Sequence, residues 1–301
     1  SASAPNRMVR VTNDSRVYSV RKTAVPTPSG VAMTTASRVR YTVATMVGFQ
    51  ILLLGFGRTD RTTFRLGLAA FGAILAQAVL GGITVLFLLP PAVSSSHAGL
   101  AQIVFALTAT IALRTSLFWG RFSEEAPRAA ADPAAVSKAT RLALWAAGAS
   151  YVQILLGAIV RHTGAGLAIP DWPLSFGGLV PTGAEWAAKG VVAHFTHRTF
   201  AWVVVALVVA AALALRGLKG VPGLGPLSTL WLFLLAVQVT LGATSVWTGK
   251  AVAATSAHLA VGGLLWITGV LAAVLLSRLG ALSSAPARAG LPAGETAPAT
   301  A

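Results

Sequence analysis

Long apolar stretches separated by short polar ones run through most of the chain. Seven of them, approximately 41–57, 66–88, 98–118, 142–160, 191–215, 225–246 and 252–277, hold few charged or imidazole side chains: Arg114, Arg198 and, in or just before the helix starts, four histidines. An α-helix needs roughly 20 apolar residues to cross a hydrocarbon core about 30 Å thick. A soluble helical bundle would alternate apolar and polar faces at helical spacing, and these runs carry no such polar stripe. Trp119, Trp186 and Trp247 stand near run ends, where interfacial anchors belong. The pattern predicts an all-α, polytopic membrane protein with about seven transmembrane helices.

Composition agrees. Of 301 residues, 55% are hydrophobic and 10% charged, against about 25% charged in soluble domains, and the mean hydropathy is +0.74. The net charge of +15 would suit nucleic acid, but its distribution points to topology instead. Arg58, Arg61 and Arg65, then Arg121, Arg128, Lys138 and Arg141, then Arg216 and Lys219, then Arg278 and Arg288 fall in alternate connections. The intervening loops hold only Arg161 and Lys189, Lys250, or no cation at all. Because Lys and Arg favour the cytoplasmic side, the rich loops are expected inside and the histidine-bearing face outside a cytoplasmic membrane. No nucleic-acid partner is expected; the bilayer is.

The basic segment 1–38, with Pro5, Pro26 and Pro28, is too polar and broken to span and is expected to be disordered. With seven helices it would lie outside, against the charge rule. A further helix preceding Ser1 would remove the conflict. The expected organisation is this N-terminal segment, a first and incomplete helical half (39–118), a cytoplasmic linker (119–141), a second four-helix half (142–280) and an Ala/Pro/Gly-rich disordered tail (281–301). The chain has no cysteine, which excludes thiolate ligands and disulfides within it.

A short motif repeats. Gln77-Ala-Val-Leu80-Gly81 recurs as Gln153-Ile-Leu-Leu156-Gly157 and as Gln238-Val-Thr-Leu241-Gly242. Gln77 precedes His97, and Gln238 precedes His258, by the same twenty residues. Two homologous halves follow, with 66–118 matching 225–277. The middle copy is read as different, because a long polar loop, Arg161 to Gly190, separates Gln153 from the helix that opens His194-Phe-Thr-His197-Arg198.

Five histidines occur: His97, His162, His194, His197 and His258. Four of them fall at one face of the membrane. Ionisable groups in spanning segments are costly and mark function, and neutral imidazole is a favoured iron ligand. His197 and His258, on separate helices of one four-helix unit, suit a heme held between them. Arg198 suits a heme propionate. His194, three residues before His197, is read as a further heme-site or acid–base group, and His162 as a loop residue. The glycines from Gly164 to Gly166 are read as tight turns near a ligand, since no phosphate-cradle context surrounds them.

The stretch Gly157-Ala-Ile-Val-Arg161-His162-Thr163-Gly164-Ala-Gly166-Leu167, followed by Pro170-Asp171-Trp172-Pro173-Leu174, resembles the heme A synthase family. So do His197-Arg198, the Gln-x-x-Leu-Gly helices and Leu88-Leu89-Pro90-Pro91 leading to His97; the resemblance covers roughly 39–277. It implies eight helices in two pseudo-symmetric halves, heme b as prosthetic group in one and heme O as substrate in the other. It also implies oxidation of the heme O C8 methyl to a formyl group, giving heme A for cytochrome oxidase. By this resemblance His197 and His258 are the axial pair of the second half, and His97 a ligand of the first and the candidate catalytic residue. Expected partners are heme O, heme O synthase, cytochrome oxidase assembly factors and a second copy of the chain. Two departures stand out: Val39 where the other first-half histidine is expected, and Ala36 where the family has a glutamate. The alternatives are a non-catalytic b-type heme-binding protein and a heme-free transporter or assembly subunit.

Overall fold

The computed structural model describes residues 60–87, 90–129 and 131–284. The first apolar run (41–57), the basic segment, Ala36 and Val39, and the tail from 285 lie outside the described residues. Six helices there are long and apolar enough to cross a membrane: α1 (Arg61–Leu86), α2 (Pro91–Arg114), α4 (Pro133–His162), α5 (Val191–Gly217), α6 (Leu224–Trp247) and α7 (Val252–Ser283). Their apolar runs are the ones read from the sequence. With no strand named among the described residues, the protein is a polytopic all-α membrane protein.

The ends differ from the sequence reading, because capping residues extend the helices past the apolar runs. Asp132 starts α4 ahead of the apolar run, its carboxylate accepting the Ala134 and Ala135 amides with Pro133 in the first turn; such a cap satisfies amides that have no partner within the helix. Pro91 likewise starts α2 early, so His97 lies in its second turn. The segment read as a linker holds a short helix, α3 (Leu117–Glu125), capped by Ser116, and a 3₁₀ turn. His162 is the last residue of α4, not a loop residue.

Asp60 caps α1 by accepting the Thr62 and Thr63 amides and also pairs with Arg114 at 2.9 Å, joining the start of α1 to the end of α2. Partial burial opposes ionisation of Asp60. The Thr63 hydrogen bonds and the Arg114 charge outweigh it and bring the pKa to about 2.

Helices α4, α5, α6 and α7 form a closed ring in which each packs on the next and α7 returns to α4; α2 packs on α4 and α7, and α1 on α2. Trp231, Leu276 and Val208 are fully buried in the ring's core. Over its most apolar stretch α7 is 56% buried, whereas α1 and α2 are 11% buried each. Among the described residues α4 to α7 thus form a four-helix unit, and α1 with α2 is a hairpin laid against it. Reporter fusions at Arg128 and Val180 are expected to give opposite compartments, since one span separates them; the same side for both would refute the helix count.

Candidate functional site

Three helix pairs repeat one arrangement. His97, His197 and His258 are each the seventh residue of their helices. Gln77, Gln153 and Gln238 each lie nine residues before the last residue of theirs. The Gln77 side-chain amide donates to the His97 carbonyl at 3.0 Å, and that of Gln153 to the His197 carbonyl at 2.9 Å. In the third pair the Gln238 amide lies 3.3 Å from His258 Nε2.

One turn beyond each glutamine, the glycine receives the imidazole. A Cβ built on Gly81, Gly157 or Gly242 would stand 3.2, 3.0 or 3.2 Å from Cε1 of His97, His197 or His258 respectively. Any side chain there would crowd the ring. This explains the spacing of glutamine and glycine: residues four apart share a helix face, so one side chain holds the partner's backbone while the next turn seats its imidazole. The middle pair therefore follows the same pattern as the others, contrary to the sequence reading. The 161–190 loop lengthens the connection between Gln153 and His197 and leaves the contact intact.

α5 and α7 stand diagonally in the ring, so His197 and His258 lie on helices that face each other across its core. His258 Nδ1 lies 3.2 Å from the Gln238 backbone carbonyl. A carbonyl can only accept, so Nδ1 carries the proton and Nε2 keeps its lone pair. His197 faces the equivalent Gln153 carbonyl, yet its Nδ1, like that of His97, is buried without a hydrogen-bond partner. His97 lies on α2 at the corresponding depth in the hairpin.

His194 and Arg198 are turned toward the loop. The Ile169 amide donates to His194 Nδ1 at 3.2 Å, and Ile169 is fully buried. Arg198 donates through both terminal nitrogens, to the Asp171 carbonyl at 2.9 Å and the Leu174 carbonyl at 2.8 Å. The Asp171 carboxylate accepts the Phe176 and Gly177 amides, both at 2.8 Å, closing the turn in which those two residues have positive φ. Trp172 meets Trp247 edge-on, with ring centroids 5.5 Å apart. Gly190, at φ 87°, lets the start of α5 meet Ala165, where a Cβ would come within 2.8 Å. The Pro-Asp-Trp-Pro segment is thus fastened to the helix that carries His197. The sequence signal for this was present in the adjacency of His194, His197 and Arg198, although its partners lay twenty or more residues away.

These features define a membrane-embedded helical protein with three imidazoles, each seated against a glycine of a neighbouring spanning helix. The chain matches the family described as Cytochrome oxidase assembly protein over residues 42–270, and it belongs to that family. Among relatives, Heme A synthase of Geobacillus kaustophilus is 30% identical over 270 residues, 86% of this chain and 80% of that protein. Heme A synthase of Symbiobacterium thermophilum is 33% identical over 182 residues, 60% of this chain and 56% of that protein. That of Rhizorhabdus wittichii is 34% identical over 170 residues, 53% and 47% respectively. The matched region thus spans about half the length of these last two proteins.

Two outcomes test this geometry. Gly157→Val should lower unfolding stability by about 1–3 kcal/mol, the usual cost of forcing volume into a packed contact. Gly72→Val, where nothing lies within 4 Å of the new Cβ, should not; equal losses in thermal or denaturant unfolding would refute the seat. The second outcome concerns Asp171. Its partial burial raises the pKa, but the Gly177 and Phe176 amides, its own amide and the Arg198 charge hold it below the usual carboxylate range. A folded value below the unfolded one, about 3.9, stabilises the loop fully above that pH and progressively less as pH falls through the folded value. Protease cleavage within 170–180 should therefore rise only below about pH 4. Asp171→Asn should show the same sensitivity at neutral pH.

Proposed function

We propose that this chain is a heme A synthase-type membrane oxidoreductase acting in heme A biosynthesis for cytochrome oxidase, converting the C8 methyl of heme O to a formyl group. The observation that carries this reading is the His197–His258 pair, set on diagonal helices of the ring with each imidazole seated against a glycine of the neighbouring helix. Two imidazoles suit an iron that arrives with four equatorial ligands of its own, and the ring protonated at Nδ1 in His258 has the tautomer that ligation through Nε2 requires.

In this reading His197 and His258 hold heme b, which supplies a one-electron redox centre when bound. His97 faces heme O in the first half. Gln77, Gln153 and Gln238 fix the helices that carry the three imidazoles, while the apolar ring around them limits water. Arg198 and His194 act as positioning residues: their bonds to the loop leave Asp171, Trp172 and Leu174 fastened beside the His197 helix. The location is the cytoplasmic membrane, with the histidine face external, as the Lys and Arg distribution favours. Partners in this reading are heme O synthase, oxidase assembly factors and a second copy of the chain.

One feature favours a second reading, a b-type heme-binding protein without turnover: Val39 and Ala36 supply neither a ligand nor a carboxylate to the first half. Purified protein should show a sharp low-spin spectrum that is lost in His197→Ala and in His258→Ala and kept in His162→Ala. An unchanged spectrum in both single variants would sink the ligand assignment. In a host lacking its own heme A synthase, extracted heme A supports the enzyme. Heme O alone, with the low-spin spectrum intact, supports the second reading, and a protein without heme refutes both.

A further inference from the structure

The histidines occupy one end of the bundle; a different cluster occupies the other. Arg278 lies twenty residues beyond His258 on α7, about 30 Å at helical rise, which is the thickness of the hydrocarbon core. There α1, α2, α4 and α7 leave a crevice of about 510 Å³, bordered by Arg114, Trp119 and Arg278 and walled by Leu144, Val270 and Val274. Val274 and Val270 are one and two turns before Arg278, so the apolar wall runs from the guanidinium toward the middle of the membrane.

Two cations share one aromatic ring. The Arg114 guanidinium lies 4.9 Å, and that of Arg278 5.7 Å, from the Trp119 ring centroid. Arg114 is neutralised by Asp60 at 2.9 Å. Arg278 donates from Nε to Ser123 Oγ at 3.2 Å, and among the described residues no carboxylate pairs with it. Glu124 and Glu125, on the same short helix as Trp119, form no ion pair there either. A guanidinium at the edge of hydrocarbon calls for an anion, and the crevice offers it a polar mouth with an apolar wall beneath.

We propose that this crevice binds an anionic phospholipid, with its phosphate at Arg278 beside Trp119 and an acyl chain along Leu144, Val270 and Val274. A free anion would use the mouth and leave the wall empty; a zwitterionic lipid would use the wall without matching the uncompensated charge. The bound lipid would seal the junction between the α1–α2 hairpin and the four-helix ring, where α2 packs on α4 and α7.

The test is native mass spectrometry of the full-length chain in detergent after delipidation, titrated with phosphatidylglycerol, phosphatidylcholine or inorganic phosphate. The wild type should retain one phosphatidylglycerol in preference to phosphatidylcholine, and millimolar phosphate should not displace it. Arg278→Gln should weaken retention about five- to tenfold, as loss of one basic side chain near a charged headgroup would, and Arg278→Lys should keep most of it. Equal retention of the two lipids by the wild type overturns the proposal. So does unchanged affinity in Arg278→Gln, or displacement by phosphate, which would mark a bare anion site. The wild-type lipid preference decides the matter if Arg278→Gln does not fold.

Discussion

An imidazole laid edge-on against a neighbouring helix leaves no space for a Cβ, and the rest of the site is arranged around that constraint. Gly81, Gly157 and Gly242 accept the rings of His97, His197 and His258 at carbon–carbon approaches that a side chain would block. In lipid, helices gain little from the hydrophobic effect between themselves and rely on close packing and polar contacts. The glutamine one turn earlier supplies such a contact. Together the two residues fix depth, rotation and spacing for each histidine-bearing helix; Gln77 and Gln153 do so through the His97 and His197 backbone carbonyls, Gln238 through the His258 ring.

The loop between α4 and α5 solves a different problem. Its backbone leaves the membrane and has few regular partners, so side chains supply them. Arg198 takes two carbonyls, His194 one amide and Asp171 two more amides. Three of the polar residues nearest His197 in sequence or space therefore organise protein rather than stand free. The Arg198 guanidinium, read from the sequence as a propionate partner, has both terminal nitrogens on loop carbonyls.

The hairpin and the four-helix ring share a local pattern and differ in how their helices close. Among the described residues α4 to α7 close on themselves and α7 is the most buried span, while α1 and α2 pack on the ring chiefly through α2. All three imidazole-bearing residues are half-buried, His197 and His258 within the ring and His97 on the hairpin. A glutamine and a glycine one turn apart thus seat an imidazole both in the closed ring and in the hairpin.

The spans, the all-α class and the repeated Gln-x-x-Leu-Gly motif were legible in the sequence because they depend on hydropathy and on local spacing. Helix length sums over about twenty residues, and a shared helix face needs only residues four apart. The equal register of His97, His197 and His258 was only half legible. The twenty-residue distance exposed two copies, but the loop from Arg161 to Gly190 hid the third. Helix ends were missed where Asp132 and Pro91 extend helices past their apolar runs, since capping acts outside the hydropathy pattern. What the glycines do, which carbonyls Arg198 holds and how Arg114, Arg278 and Trp119 meet were decided by tertiary structure alone. Those contacts join residues far apart in the chain, and only the packing of one helix on another brings them within reach.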